Sequence, residues 1–349
     1  MTAVLVPEDL ADRTERVERA RRAPVRRERL VVAVLSGVLL LVVAARVLLG
    51  DFTVTIPDFV RILAGADIPG ATFIVMESKL PRALLGVTVG LCLGVAGAIF
   101  QSSLRNPLAS PDIIGVSMGA SATAVFGIVV LGVGGADLSL LAVAGALAVA
   151  AATRWVAGPA GGQRLVLVGV GVAAVLASVI QYLFTRADEW DAHVVLRWLT
   201  GSLQQADWPT VRWLALALVV LLPLTAWQAR DLRVTELGAD TAAGLGVSPR
   251  RTDLMLATGV VLVSVAVAAA GPVAFVAFTA GPVARALCGG RTSLVAAGLV
   301  GACVVVGADY VADYLLADVN VPVGVVTGAA GAPFLLWLLA SGRTGRRAA

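Results

Sequence analysis

The chain is 349 residues long, 58% hydrophobic and only 14% charged, with a mean hydropathy of +0.90. A soluble domain carries roughly a quarter charged residues, so this composition excludes an ordinary soluble enzyme or binding module. The net charge of +4 and isoelectric point near 9.4 would suit a nucleic-acid binder, but the arginines gather at the ends of apolar runs and in the N-terminal stretch instead of forming one basic face.

In chain order, residues 1–29 come first, with Arg13, Arg16, Arg19, Arg21, Arg22, Arg26, Arg27 and Arg29 interleaved with acids. The stretch is too long, and lacks a small-residue cleavage site, for a secretory signal; a basic cytoplasmic extension is expected. Ten apolar segments follow, near 30–50, 81–101, 113–133, 138–156, 165–185, 210–228, 254–271, 273–288, 292–308 and 321–340. Apolar runs of about 20 residues match the hydrocarbon thickness of a bilayer when helical. Barrel strands are shorter and alternate, so helices are the form that satisfies the backbone in lipid here. The expected fold is an all-α polytopic membrane protein of about ten transmembrane helices over 30–340. A cytoplasmic tail over 341–349 would put both termini in the cytoplasm. Gly271-Pro272 makes the seventh and eighth segments hard to separate.

Charge sets the orientation. Arg105, Arg154, Arg164, Arg230, Arg233, Arg250, Arg251, Arg285 and Arg291 fall in alternate connections, the cytoplasmic ones if the N-terminus is inside. The other connections carry Asp51, Asp58, Asp67, Glu77, Asp188, Glu189, Asp191, Asp309, Asp313 and Asp318. This is the positive-inside pattern, and Trp residues near both boundaries form an aromatic belt. Gly86, Gly90 and Gly94 on the second segment, Gly115 and Gly119 on the third, and Gly324 and Gly328 on the tenth are spaced for close helix contact.

What is missing narrows the chemistry. Cys92, Cys288 and Cys303 fit no metal spacing, and His193 is the only histidine, so no catalytic or metal-binding residue is assigned. Lys79 is the only lysine and lies in "MESKLPR". A phosphate-cradling loop needs a Gly-rich turn ending in Lys-Ser/Thr, so the chain holds no ATPase site of its own. Acids deep in the helices, the usual mark of a proton-driven carrier, are nearly absent.

Two polar islands interrupt the apolar pattern. "SSLRNPLASPDIIGVSMGAS" (102–121) is a cytoplasmic turn stiffened by Pro107 and Pro111; it is either a stiff connection or a moving part. "RDLRVTELGADTAAGLGVSPRR" (230–251) reads as two short helices and a tight turn, with a shallow small-residue surface suited to docking another protein; an ordinary long loop is the alternative.

The stretch "KLPRALLGVTVGLCLGVAGAIFQSSLRNPLASPDIIGVSMGA" resembles the FecCD-type permeases of ATP-driven importers for ferric siderophores, haem and vitamin B12. "ELGADTAAGLGV", "AAAGPVAFVAFTAGPVAR" and "VNVPVGVVTGAAGAPFLLWLL" match in the same order. The resemblance implies a ten-helix, BtuC-like type II importer fold. It implies two permeases, two cytoplasmic ATPase subunits holding ATP and Mg²⁺, and an external substrate-binding protein, with no cofactor on this chain. It places a cytoplasmic gate at Asn106, Pro107 and Leu108. It places coupling to the ATPase at Glu236, Leu237, Gly238, Thr241, Ala242, Leu245 and Gly246. Lys79 and Arg82 match basic positions that dock the binding protein, and Asp313 stands where many members carry an arginine. That departure, together with Gly281-Pro282 in place of a common Pro-His, suggests a heterodimer with a sister permease. Gln101, Ser102, Ser178, Gln181 and Tyr182 are candidate pathway-lining residues. The expected function is passage of a ferric siderophore across the bacterial inner membrane, with vitamin B12 or haem as the alternative cargo.

Overall fold

The computed structural model describes residues 7–158, 161–316 and 321–340, and among these it contains helices and turns but no strand. In chain order the helices are α1 (Pro7–Leu48), α2 (Ile56–Leu63), α3 (Ala71–Phe73), α4 (Leu80–Ser103), α5 (Val116–Phe126), α6 (Gly135–Ala157) and α7 (Gly161–Phe184). They continue as α8 (Glu189–Thr200), α9 (Trp208–Thr235), α10 (Ala239–Gly244), α11 (Pro249–Ala270), α12 (Val276–Leu287), α13 (Leu294–Tyr310) and α14 (Val323–Ala340). Asp318 and the arginines of the 341–349 tail lie outside the described residues.

Among the described residues, seven stretches are long and apolar enough to cross a membrane: Ala23–Leu48, Ala71–Ser103, Gly135–Ala157, Gln163–Phe184, Trp208–Thr235, Pro249–Ala270 and Leu294–Leu315. Three shorter apolar helical stretches, Val116–Leu131, Val276–Leu287 and Val323–Leu338, occupy the third, eighth and tenth predicted segments. We call "outer" the end of the bundle where α1 finishes and α4 begins, following the charge asymmetry.

α4 is the axis of the bundle, packing against α13, α11, α12 and α9. The predicted glycine ridge makes this possible. A Cβ on Gly90 would stand 2.4 Å from the Ala302 Cα and one on Gly94 2.2 Å from the Ala297 oxygen; Gly97, which the spacing did not single out, extends the ridge, with a Cβ there 1.8 Å from the Ala277 oxygen. Any side chain there would push the backbones apart, so close van der Waals contact replaces hydrophobic drive as the source of cohesion. Gly119 meets α6 at Gly145 and Val149 in the same way, whereas Gly328 faces open space and contributes no such contact.

Several elements were not visible in the pattern of apolar runs. The second span starts ten residues early, because a π-helical stretch, Ile74–Lys79, joins α3 to α4 without a break. The acidic connections contain α2 and α8, each opened by a side-chain cap: Thr55 accepts from Asp58 N–H, and Asp188 accepts from Asp191 N–H. The polar insert holds one short helix, α10, not two. α9 runs on to Thr235, and Gly238 (φ 112°) and Gly246 (φ 88°) place left-handed turns on either side that end helical continuation.

Candidate functional site

The return from the outer end after α11 is made in two parts. α12 has 12 residues, a rise of about 18 Å, and falls short of a hydrocarbon core of about 30 Å. The remainder is non-helical backbone from Gly271 into Phe275, which has φ 63° and starts α12 in a left-handed conformation. Glycines admit this crossing. A Cβ on Gly271 would lie 2.4 Å from the Trp198 oxygen, one on Gly201 2.6 Å from the Pro272 oxygen, and one on Gly324 1.8 Å from the Thr200 oxygen. The ends of α8 and α11 and the start of α14 therefore meet backbone to backbone, and Ser202 N–H donates to Ala270 at 2.7 Å.

Non-helical backbone at membrane depth is tolerated where it lines a cavity. Here Pro272–Phe275 and Phe278 form one wall of a cleft of about 720 Å³ whose other walls come from α5, α7 and α8. Apolar lining from Met118, Ile180, Phe184 and Leu199 predominates, with a polar patch of Ser110, Asp112, Ser117, Ser121 and Gln181. Asp112 is held by the Ser110 and Ser117 hydroxyls, both of which donate to its carboxylate.

Of the five residues expected to line a pathway, Gln181 borders this cleft. Gln101 and Ser102 are buried in the bundle; Gln101 donates from Nε2 to the Phe278 oxygen at 3.0 Å. Ser178 is exposed and turns its hydroxyl back to the Ala174 oxygen, and Tyr182 is exposed beside Arg186. Periodicity on α7 could not tell which of its faces meets α5. The aromatic wall was hidden because it lies in the stretch where the helix pattern fails.

The inner end of α4 closes in a tight turn. Asn106 N–H donates to the Gln101 oxygen at 3.0 Å and Arg105 N–H to the Ser102 oxygen at 3.2 Å, the paired bonds of a Schellman cap. The left-handed position in such a cap usually belongs to glycine, but here Arg105 occupies it with φ 49°. Asn106 Oδ1 then accepts from Leu108 N–H at 2.9 Å, and Pro107 fixes the next φ, so the expected gate turn is stiff.

The predicted coupling segment stands beside this turn. Leu237 and Leu245 are each 62% exposed on either side of α10, while Ala242 is buried against the bundle. Ahead of α10, Glu236 Oε1 accepts from Ser102 Oγ at 2.8 Å and from Thr292 Oγ1 at 2.5 Å.

At the outer end the three residues expected to meet a binding protein are used inside the chain. Lys79 is only 5% exposed and donates from Nζ to the Leu49 oxygen at 2.7 Å and the Phe52 oxygen at 2.5 Å. Arg82 pairs with Asp309 at 2.8 Å and Asp313 at 3.0 Å. Arg46, 1% exposed, pairs with the same two acids at 2.7 and 2.9 Å and donates to the Tyr314 hydroxyl. Two arginines thus share two carboxylates, tying α1, α4 and α13 together. Asp309 and Asp313 belong to a helical span and not to a connecting loop. Sequence reading passed over Arg46; the signal was a lone arginine inside an otherwise apolar run, which calls for a carboxylate partner.

Among the described residues the chain is a helical bundle of membrane-length spans whose broken crossing walls a cleft, with a polar segment beside a stiff inner turn, an architecture that suits a transport permease. The chain belongs to the FecCD transport family, whose model matches residues 26–341. It is 37% identical over 273 residues to the ferric enterobactin transport system permease protein FepG of Escherichia coli (strain K12), covering 77% of this chain and 82% of that protein. Two permease proteins of the Fe(3+)-citrate import system of Bacillus subtilis (strain 168) also match. YfmE is 32% identical over 90% of this chain and 96% of its own, and YfmD 34% identical over 84% and 89%. The fold is similar to an inward-facing metal-chelate type ABC transporter, with a TM-score of 0.79 at 22% identity, over 89% of this chain and 98% of that one. The protein is a permease subunit of an ABC importer, a component that works with separate ATPase and substrate-binding partners and is not itself an enzyme.

Proposed function

We propose that this chain carries a ferric siderophore across the bacterial inner membrane, in a pathway formed with a second, sister permease. The observation that carries the translocation reading is the 720 Å³ cleft walled by non-helical backbone at Pro272–Phe275. Its size and largely apolar lining suit a bulky chelate that is passed along without tight recognition. The names of FepG, YfmE and YfmD support iron–chelate cargo, and the two Yfm permeases of one system support pairing of unlike chains.

Energy comes from partner ATPases, which hold ATP and Mg²⁺; this chain has no phosphate-cradling loop and serves no cofactor. Leu237, Gly238, Thr241, Leu245 and Gly246 form the surface on which an ATPase docks, with Ala242 anchoring it from beneath. Asn106, Pro107 and Leu108 form the inner gate. The outer docking role of Lys79, Arg82 and Asp313 is reduced in this reading to shaping the surface, since their charges are satisfied within the chain.

The test is uptake of radioiron-loaded siderophore, beside labelled haem and vitamin B12, in cells lacking the chain. Loss of iron–siderophore uptake alone is expected. Loss of haem or vitamin uptake instead would overturn the cargo and leave the permease assignment standing.

A further inference from the structure

The inner end of α4 holds a junction that neither the cleft nor the docking surface explains. Three elements distant in sequence converge on one atom: Ser102 from the last turn of α4, Thr292 from the turn between α12 and α13, and Glu236 from the join between α9 and α10. Ser102 and Thr292 are 2% and 8% exposed, yet both aim their hydroxyls at the Glu236 carboxylate, which reaches in from an exposed position. The two hydroxyls also lie 3.3 Å from each other, closing a triangle. Hydrogen bonds to an ionised acceptor are shorter and stronger than neutral ones, so this contact is stiff for its size.

Its position gives it leverage. Ser102 also supplies the carbonyl that Arg105 N–H uses to cap α4, so a pull on Ser102 acts on the turn that carries Arg105, Asn106, Pro107 and Leu108. Glu236, in turn, immediately precedes exposed Leu237 and the left-handed Gly238 that starts the α10 segment. We propose that Glu236 is a positioning residue, a latch whose carboxylate transmits displacement of the 236–247 segment to the inner turn of α4 and to the α12–α13 turn. The inference rests on the permease reading above and adds to it a specific mechanical link.

The experiment follows the gate turn directly and needs no cargo. Asn106→Cys is introduced and its modification by a membrane-impermeant maleimide is timed in inside-out vesicles holding the complete importer, with and without ATP. The native thiols are a low background, because Cys92 and Cys288 are buried and Cys303 is partly so. With the latch intact, ATP is expected to change the labelling rate by about tenfold, the scale of losing a hydrogen bond to a charged group. Ser102→Ala with Thr292→Val is expected to abolish most of that change, as is Glu236→Ala, and combining all three is expected to add nothing further. Ser102→Thr and Thr292→Ser, which keep the donors in place, should preserve it, which separates a transmitting role from mere loss of folding. If the hydroxyl variants respond to ATP like the parent, or if their effect adds to that of Glu236→Ala, the latch is overturned and the permease reading stands. If ATP leaves the parent Asn106→Cys rate unchanged, the ATPase coupling and the latch fall together.

Discussion

The two ends of α4 are held by different chemistry. At the outer end half-buried Arg82 and Asp313 join buried Arg46 and Asp309 in a four-charge lattice in which every member has at least two partners. At the inner end α4 joins no ion pair among the described residues; it is held there by Gln101 Nε2, which donates to the Phe278 oxygen, and by one carboxylate that receives two hydroxyls at the border of solvent. Removing one member from a buried ionic lattice leaves an uncompensated charge in a low-dielectric site, a heavy penalty. Water can stand in for a lost hydroxyl–carboxylate bond at the surface. One helix is therefore pinned at one end and releasable at the other, which is what a lever needs.

Four substitutions would break or sharpen that contrast. Asp309→Ala leaves two arginines to share the single carboxylate of Asp313 and is expected to cost about 3–5 kcal/mol, enough to abolish a folded protein in detergent. Thermal unfolding of the purified permease measures this, and a near-neutral result would mean that the outer end is not pinned by charge. Midway along the helix, Gly97→Ala forces a methyl into the Ala277 carbonyl and should cost about 1–3 kcal/mol by the same assay. Gly328→Ala, where nothing lies within 4 Å, should leave the midpoint unmoved. Equal effects at both positions would show that backbone contact along α4 is not the source of cohesion. At the inner end Arg105→Gly should stabilise by about 1 kcal/mol, because glycine adopts the left-handed cap position without strain. A lower midpoint would mean that the turn holds no strain.

Much of the architecture could be read from periodicity, because long apolar runs and the sidedness of arginine follow from the bilayer itself. The glycine ridge of α4 was legible for the same reason: close contact requires small residues at helical spacing. Other features arise from contacts between distant parts of the chain and leave little local trace. The apolar composition of 273–288 hides that its first residues are non-helical. The pairing of Arg46 with Asp309 spans residues far apart in sequence, so only the cost of a lone intramembrane charge hinted at it. Lys79 shows the same limit: the resemblance offered it for docking a binding protein, and only the folded chain shows its ammonium donating to the Leu49 and Phe52 carbonyls from a helical span that begins ten residues earlier than hydropathy indicates.

The broken crossing at Gly271–Phe275 has a consequence for how such a chain can diverge. The side chains of Val273, Ala274 and Phe275 can be rewritten by point mutation, but the backbone path that presents them to the cleft is held by its own contacts. The neighbouring glycine contacts, in turn, forbid bulk at Gly201, Gly271 and Gly324. Substitutions that reshape the cleft are thereby steered away from the packed ends of the broken crossing and toward the opposite faces, on α5 and α7.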